Sequence, residues 1–250
     1  PELWVTDGTA AGTHLLVHIR PGSAGSSPSQ LVAAGNRCWF VANDGTSGLE
    51  PWLSDGTAAG TRRVQDLVPG PISSFPERLT TNGSLLAFTA AAGGQREIWR
   101  SDGTAAGTFA ITTTAFGRVD AYTDLAWTTA GLFFLHDDLG GHGTELWFGD
   151  ANAPGAALAI DTAPGPRSGA VPGTLTPILG GSQLALGVAT QPAGLQLWIG
   201  DGTAAATQQV TNFGGPGVGA VSLRELTAIG SRTFFACDDG IVGEEPWLFD

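Results

Sequence analysis

Residues 50–61 read EPWLSDGTAAGT, and nearly the same string returns along the whole chain. It stands as ELWVTDGTAAGT from Glu2 and EIWRSDGTAAGT from Glu97. Two copies have drifted, to ELWFGDANAPGA from Glu145 and QLWIGDGTAAAT from Gln196, and EPWLFD from Glu245 ends the chain. The tryptophans Trp4, Trp52, Trp99, Trp147, Trp198 and Trp247 lie 48, 47, 48, 51 and 49 residues apart. Self-similarity at one fixed period is the signature of a repeat architecture. Its phase is kept from end to end, so residues 1–250 read as one domain.

The stretches between motifs also align. Phe40, Ala42 and Asp44 fill slots taken by Phe88, Ala90, Ala92; by Phe134, His136, Asp138; by Leu186, Val188, Thr190; and by Phe235, Cys237, Asp239. In the first full unit the turn signals Asn36, Gly45, Asp55-Gly56 and Pro69-Gly70 separate four short strands, near 30–35, 37–43, 49–54 and 61–67. No stretch holds a helical apolar period, so almost no helix is expected. Phe40 and Ala42 point to one face and Trp39 and Val41 to the other, as in sheets buried on both sides.

Four strands per unit at this period predict an all-β fold: a five-bladed β-propeller with blades of about 48 residues. The units run approximately 1–29 (a closing segment), 30–77, 78–123, 124–173, 174–221 and 222–250. Strand 13–19 is expected to complete the last blade, closing the ring by the chain ends. Residues 2–6 and 245–250 copy the same strand, which a closed ring holds once. One copy is then displaced, or the two exchange between molecules in self-association, or the chain belongs to a longer array. Each motif indole is expected to bury roughly 150–250 Å², or about 4–6 kcal/mol before entropy.

The recurring motif resembles the ELWxxDGT repeat proteins, a bacterial family found in large secreted or surface proteins. The likeness spans the chain, with full matches from Glu2, Glu50 and Glu97. It implies an extracellular or cell-surface location and supplies no catalytic residues to carry over. Blade count and period are also similar to the tachylectin-2 type of sugar-binding propeller, an analogy of architecture only.

Bulk properties narrow the partners. The net charge is −12, from 23 acidic against 11 basic residues. Such a surface repels phosphate backbones and argues against nucleic acid. No apolar run approaches the ~18 residues of a membrane span, so no membrane insertion is expected. Pro1 opens straight into a repeat with no signal peptide in view, which reads as a processed chain or a cut from a longer one.

The candidate residues are weighed against turn and packing roles. Asp7, Asp55, Asp102 and Asp201 are read as turn acceptors, with Gly56 and Gly60 supplying positive φ. Glu50, Glu97, Glu145 and Glu245, two residues before each Trp, are read as structural hydrogen-bond acceptors. Asp44, Asp138 and Asp239 sit in acidic hairpins, where turn chemistry leads and calcium is the second reading. No other cofactor is implied. His136 and His142 flank Asp137-Asp138 in one unit only; a partly buried histidine paired with a carboxylate leads, and a ligand or metal site is the second reading. Trp127 and Tyr122, the latter unique in the chain, are aromatics outside the repeated position and candidates to stack on a ligand; Trp39 is read as blade packing. Cys38 and Cys237 are expected to be free, buried thiols.

No Ser-His-Asp order, HExxH, P-loop or CxxC occurs. The leading expectation is a non-catalytic interaction module. It holds a protein or carbohydrate through loops at one end of the ring, with segments 114–124, 136–143 and 163–173 as carriers. A lectin with one site per blade is the alternative. A carbohydrate hydrolase or lyase, using His136, Asp137, Asp138 and Glu145, comes third.

Overall fold

The structure is a computed structural model and describes residues 1–92, 94–112, 124–138, 141–165, 167–190, 194–213 and 222–250. The chain divides into two units, Pro1–Thr114 and Ala115–Asp250. All regular structure is antiparallel sheet apart from a single 3-10 turn at Leu179–Gly181, and no α-helix occurs among the described residues.

The first unit holds three sheets. One is two-stranded, β1 (Leu3–Val5) with β2 (His14–Val17). A four-stranded sheet follows, with β3 (Ser29–Ala34), β4 (Arg37–Asn43), β5 (Leu49–Ser54) and β6 (Arg62–Arg63) in order. The next is also four-stranded, with β7 (Glu77–Thr81), β8 (Leu86–Ala92), β9 (Gln95–Ser101) and β10 (Phe109–Ala110). In the second unit, β11 (Leu125–Trp127), β12 (Leu132–Asp137), β13 (Thr144–Gly149) and β14 (Ala157–Ile160) form one four-stranded sheet. Another comprises β15 (Thr176–Ile178), β16 (Gln183–Thr190), β17 (Gly194–Gly200) and β18 (Gln208–Gln209). The last has three strands, β19 (Ser222–Ile229), β20 (Arg232–Asp238) and β21 (Glu244–Phe249).

One register repeats in five sheets. Phe40 faces Trp52, Phe88 faces Trp99, Phe134 faces Trp147, Leu186 faces Trp198 and Phe235 faces Trp247. The sequence slots are thus cross-strand pairs, the unit of sheet stabilisation. Sheets bury both faces. Phe40, Ala42 and Trp52 pack with Leu3 and Ile19, while Trp39 and Leu53 on the opposite face pack with Leu86 and Phe88. In the second unit Leu184, Leu186 and Val188 join the core of the preceding sheet, and Ala185, Leu197 and Ile199 that of the following one. The first strands of neighbouring sheets lie side by side, β3 by β7 and β15 by both β11 and β19.

Strand β2 pairs with β1 across the short Asp7–Gly12 turn. Two expectations are corrected. The outer strand expected at 61–67 is only Arg62–Arg63: the Val64 amide still reaches Pro51 O, but Pro51 has no N–H to return the bond, and the Leu67 amide goes to the Glu50 carboxylate. The motif indoles are not uniformly buried. Trp52 is 8% exposed and Trp4 is 60% exposed, since the two-stranded sheet lacks strands to cover it. Trp99, Trp147, Trp198 and Trp247 are half-buried.

Candidate functional site

The glutamates before the tryptophans tie down the path from one sheet to the next. Glu50 is fully buried and accepts from the amides of Leu67 and Ser74 at 3.1 and 3.0 Å and from the Ser74 hydroxyl at 2.7 Å. Glu145 does the same for Thr162 and Gly169, and Glu2 for Ile19, Arg20 and Ser26. Glu97 accepts from the Thr112 hydroxyl. Where the glutamate is lost, Gln196 accepts from Thr211 and Phe213 and donates its amide to Phe213 O. Glu245, on the more exposed β21, is open to solvent. Burial pushes the Glu50 carboxyl up to about 7, against hydrogen bonds from Ser74 and Leu67 that favour its charged form. Glu97 and Glu145 are likewise raised by burial.

Each DGT turn closes on its own aspartate. Asp55 Oδ1 accepts from the Thr57 amide and hydroxyl at 2.9 and 2.7 Å, and Asp7, Asp102 and Asp201 repeat the pattern with Thr9, Thr104 and Thr203. Gly56 has φ +86°, as expected for such a turn. Gly60 does not; it is glycine because a Cβ there would overlap the Asp55 carboxylate.

The acidic hairpins are also engaged by their own backbone. Asp44 accepts from Thr46 and Ser47 and pairs with Arg63 at 2.7 Å. Asp239 accepts from the amides of Ile241 and Val242. Asp138 accepts from the amides of Gly141 and His142, and His142 Nδ1 lies 2.7 Å from Asp138 Oδ2. Among the described residues no group of three or more His, Cys, Asp or Glu is placed to hold a metal ion.

The remaining candidates are dispersed. His136 is fully buried with its ring edge-on to Trp147 at 5.5 Å, and Trp127 is 7% exposed, so neither presents a face to a ligand. Trp39 packs in the core at 1% exposure. Tyr122 and residues 114–123 lie outside the described residues. In segment 163–173, Gly169 serves the Glu145 clamp and Ala170 bridges to Val188. Both cysteines are free. Cys237 is buried, and burial with Asp239, Asp238 and Glu244 nearby lifts its thiol to about 11. Cys38 is only half-buried, a correction, because it borders the open groove beside Leu3 and Trp4.

A different feature is the concave one. Within the second unit a groove of about 400 Å³ runs between the sheet of β11–β14 and the turn joining β17 to β18. Phe133 and Phe148 form its floor, their rings 4.8 Å apart, with Leu158 beside them. The turns Thr128–Ala130 and Asp201–Ala204 make its rim. Gly202 presses on the Phe133 ring so closely that a Cβ would collide with it. These residues escaped the sequence reading, which ranked titratable and unique aromatic residues. The signal was the small Ala157, opposite Phe148 in the place where Arg62 stands opposite Leu53.

No family model matches the chain, and no curated protein matches it. Solved structures do. A prolyl endopeptidase matches at 10% identity over 90% of this chain and 34% of its own length, with a TM-score of 0.61. A puromycin hydrolase matches at 17% identity over 96% of this chain and 38% of its own, with a TM-score of 0.54. TolB from Acinetobacter baumannii matches at 14% identity over 97% of this chain and 60% of its own, with a TM-score of 0.47. The chain therefore spans less than two thirds of each of these proteins. Identities this low show the fold alone: an all-β, β-propeller-like assembly of small antiparallel sheets.

Proposed function

We propose that the chain is a non-catalytic β-propeller-type interaction module, secreted or held on a cell surface, that seats a protein or glycan partner in the groove over Phe133 and Phe148. The single observation that carries this reading is the groove itself: two aromatic rings and Leu158 at its floor, with polar turns around them. Apolar floors with a few polar groups at the rim suit ligand binding. The histidine, aspartates and glutamate that chemistry would need are taken up instead: Glu145 in a clamp, Asp138 in a turn, His136 against an indole.

The location and the five-bladed ring belong to the same proposal and rest on the ELWxxDGT resemblance and the period. So does self-association through residues 2–6 and 245–250, which a strictly monomeric mass by light scattering overturns. The lectin alternative predicts several sugars per chain in calorimetry. Peptide and glycan arrays probed with the wild type and Ala157→Arg test the module: binding lost in the variant supports the groove. Hits indifferent to the variant, or turnover of a bound compound, overturn the reading.

A further inference from the structure

The groove has a relative in the first unit that is already filled. Opposite Leu53 on β6, Arg62 reaches across and donates to Gly103 O at 2.8 Å, over the place where Trp39 and Leu53 meet that glycine. Gly103 opens the turn of the next sheet as Gly202 does in the second unit. The same cross-strand pair in the third sheet is Arg100 with Phe109, and there the guanidinium lies 4.5 Å from the ring centroid. An arginine thus occupies this pair in both four-stranded sheets of the first unit. In the sheet of β11–β14 the pair is Phe148 with Ala157: an aromatic stands on the inner strand, where Arg100 does in the third sheet, and the small Ala157 brings no cation to it.

What faces the vacated place suits a cation. Asp201 is exposed at the rim, and only its Oδ1 is used by Thr203. Those bonds hold its carboxyl below the usual range, so it is charged at neutral pH. No ion pair among the described residues engages it. A guanidinium stacks on aromatic faces and forks onto carboxylates, and an ammonium does the first less well.

We propose that this groove takes the arginine side chain of a protein partner, its guanidinium over the Phe148 ring and within reach of Asp201, as Arg62 fills the corresponding place over Gly103 and as Arg100 lies over the Phe109 ring. The proposal rests on the binding-module reading and names its ligand chemistry.

The test is a titration of the whole chain with N-acetyl-arginine amide, followed by amide NMR shifts at Gly202 and Thr203. The lysine and leucine analogues run beside it. A dissociation constant on the order of 1 mM is expected for the arginine compound, with the lysine compound about tenfold weaker. Ala157→Arg should abolish the response with an unchanged or higher Tm, and Asp201→Asn, which still accepts from Thr203, should weaken it about fivefold. No response up to about 20 mM, or a leucine analogue that binds as well, overturns the assignment. If the arrays meanwhile give hits lost in Ala157→Arg, only the arginine assignment has failed and the module stands.

Discussion

Glu50 on β5 accepts hydrogen bonds from both the amide and the hydroxyl of Ser74, 24 residues further on. With the Leu67 amide on the same carboxylate, one side chain holds both ends of the passage between two sheets. Glu50→Ala would leave the buried Leu67 amide without its acceptor and the Ser74 amide and hydroxyl with Leu49 O alone, and should cost about 2–3 kcal/mol. Glu50→Gln keeps one acceptor oxygen but turns an NH₂ toward N–H groups, and should cost about 1–2 kcal/mol near pH 5. Urea unfolding monitored by Trp fluorescence gives both numbers.

The same residue sets a pH dependence. Its folded pKa of about 7 exceeds the ordinary 4.5, so the folded chain binds the proton more tightly than the unfolded one. That contribution is complete below pH 4.5 and is lost as pH rises to about 7. Wild-type stability should therefore fall between about pH 5 and 8, and the fall should be smaller in Glu50→Gln. Parallel curves for the two proteins would remove Glu50 as the source. Glu97 and Glu145, also raised, act in the same direction in both.

The turns predict a compensation. Gly60→Ala pushes a methyl onto the Asp55 carboxylate and should destabilise by about 1–2 kcal/mol. The chain already carries Ala at the matching position 206, accompanied by Gly200 where Ser54 stands. There Thr207 has moved to accept the Gly202 amide directly, into space that a side chain at 200 would fill. Ser54→Gly should thus recover about half of the loss in the double variant, a coupling that a double-mutant cycle reads directly.

One motif position should give two different costs. Trp52 is buried and donates from Nε1 to Ala42 O at 3.1 Å, so Trp52→Ala should cost about 3–5 kcal/mol. Trp4, 60% exposed, should cost under about 0.5 kcal/mol by the same measurement. Equal costs would mean that the first sheet is covered in solution.

His142 offers a local titration. Its hydrogen bond to Asp138 raises its pKa above 6.5, while, against burial, the His142 amide, then that side chain, then the Gly141 amide hold the Asp138 carboxyl well below the usual range. NMR should find the His142 midpoint above 6.5 in the wild type and lower in Asp138→Asn. The stabilisation from this pair is present below pH 6.5 and fades as pH climbs through the raised midpoint.

Strand content and both-face burial were legible, because period-2 burial and a fixed repeat leave few alternatives. The repeated places of Phe40 and Trp52 followed from counting; their pairing across strands is seen only in the structure. The exposure of Trp4 did not, since it depends on how many strands its sheet has rather than on its motif. The groove was hidden for a related reason. A concave place left by a small side chain, Ala157, shows only once the partner strand that supplies Arg62 elsewhere is known.

The outermost strands β6, β10 and β18 are each two residues long. A chain of near-identical tandem copies is exposed to a particular hazard, in which one copy zips onto the equivalent strand of another and seeds fibrils. A two-residue margin gives an incoming strand almost no ladder to extend. Brevity withholds a template at these three edges, whereas the six-residue edge β21 still offers one.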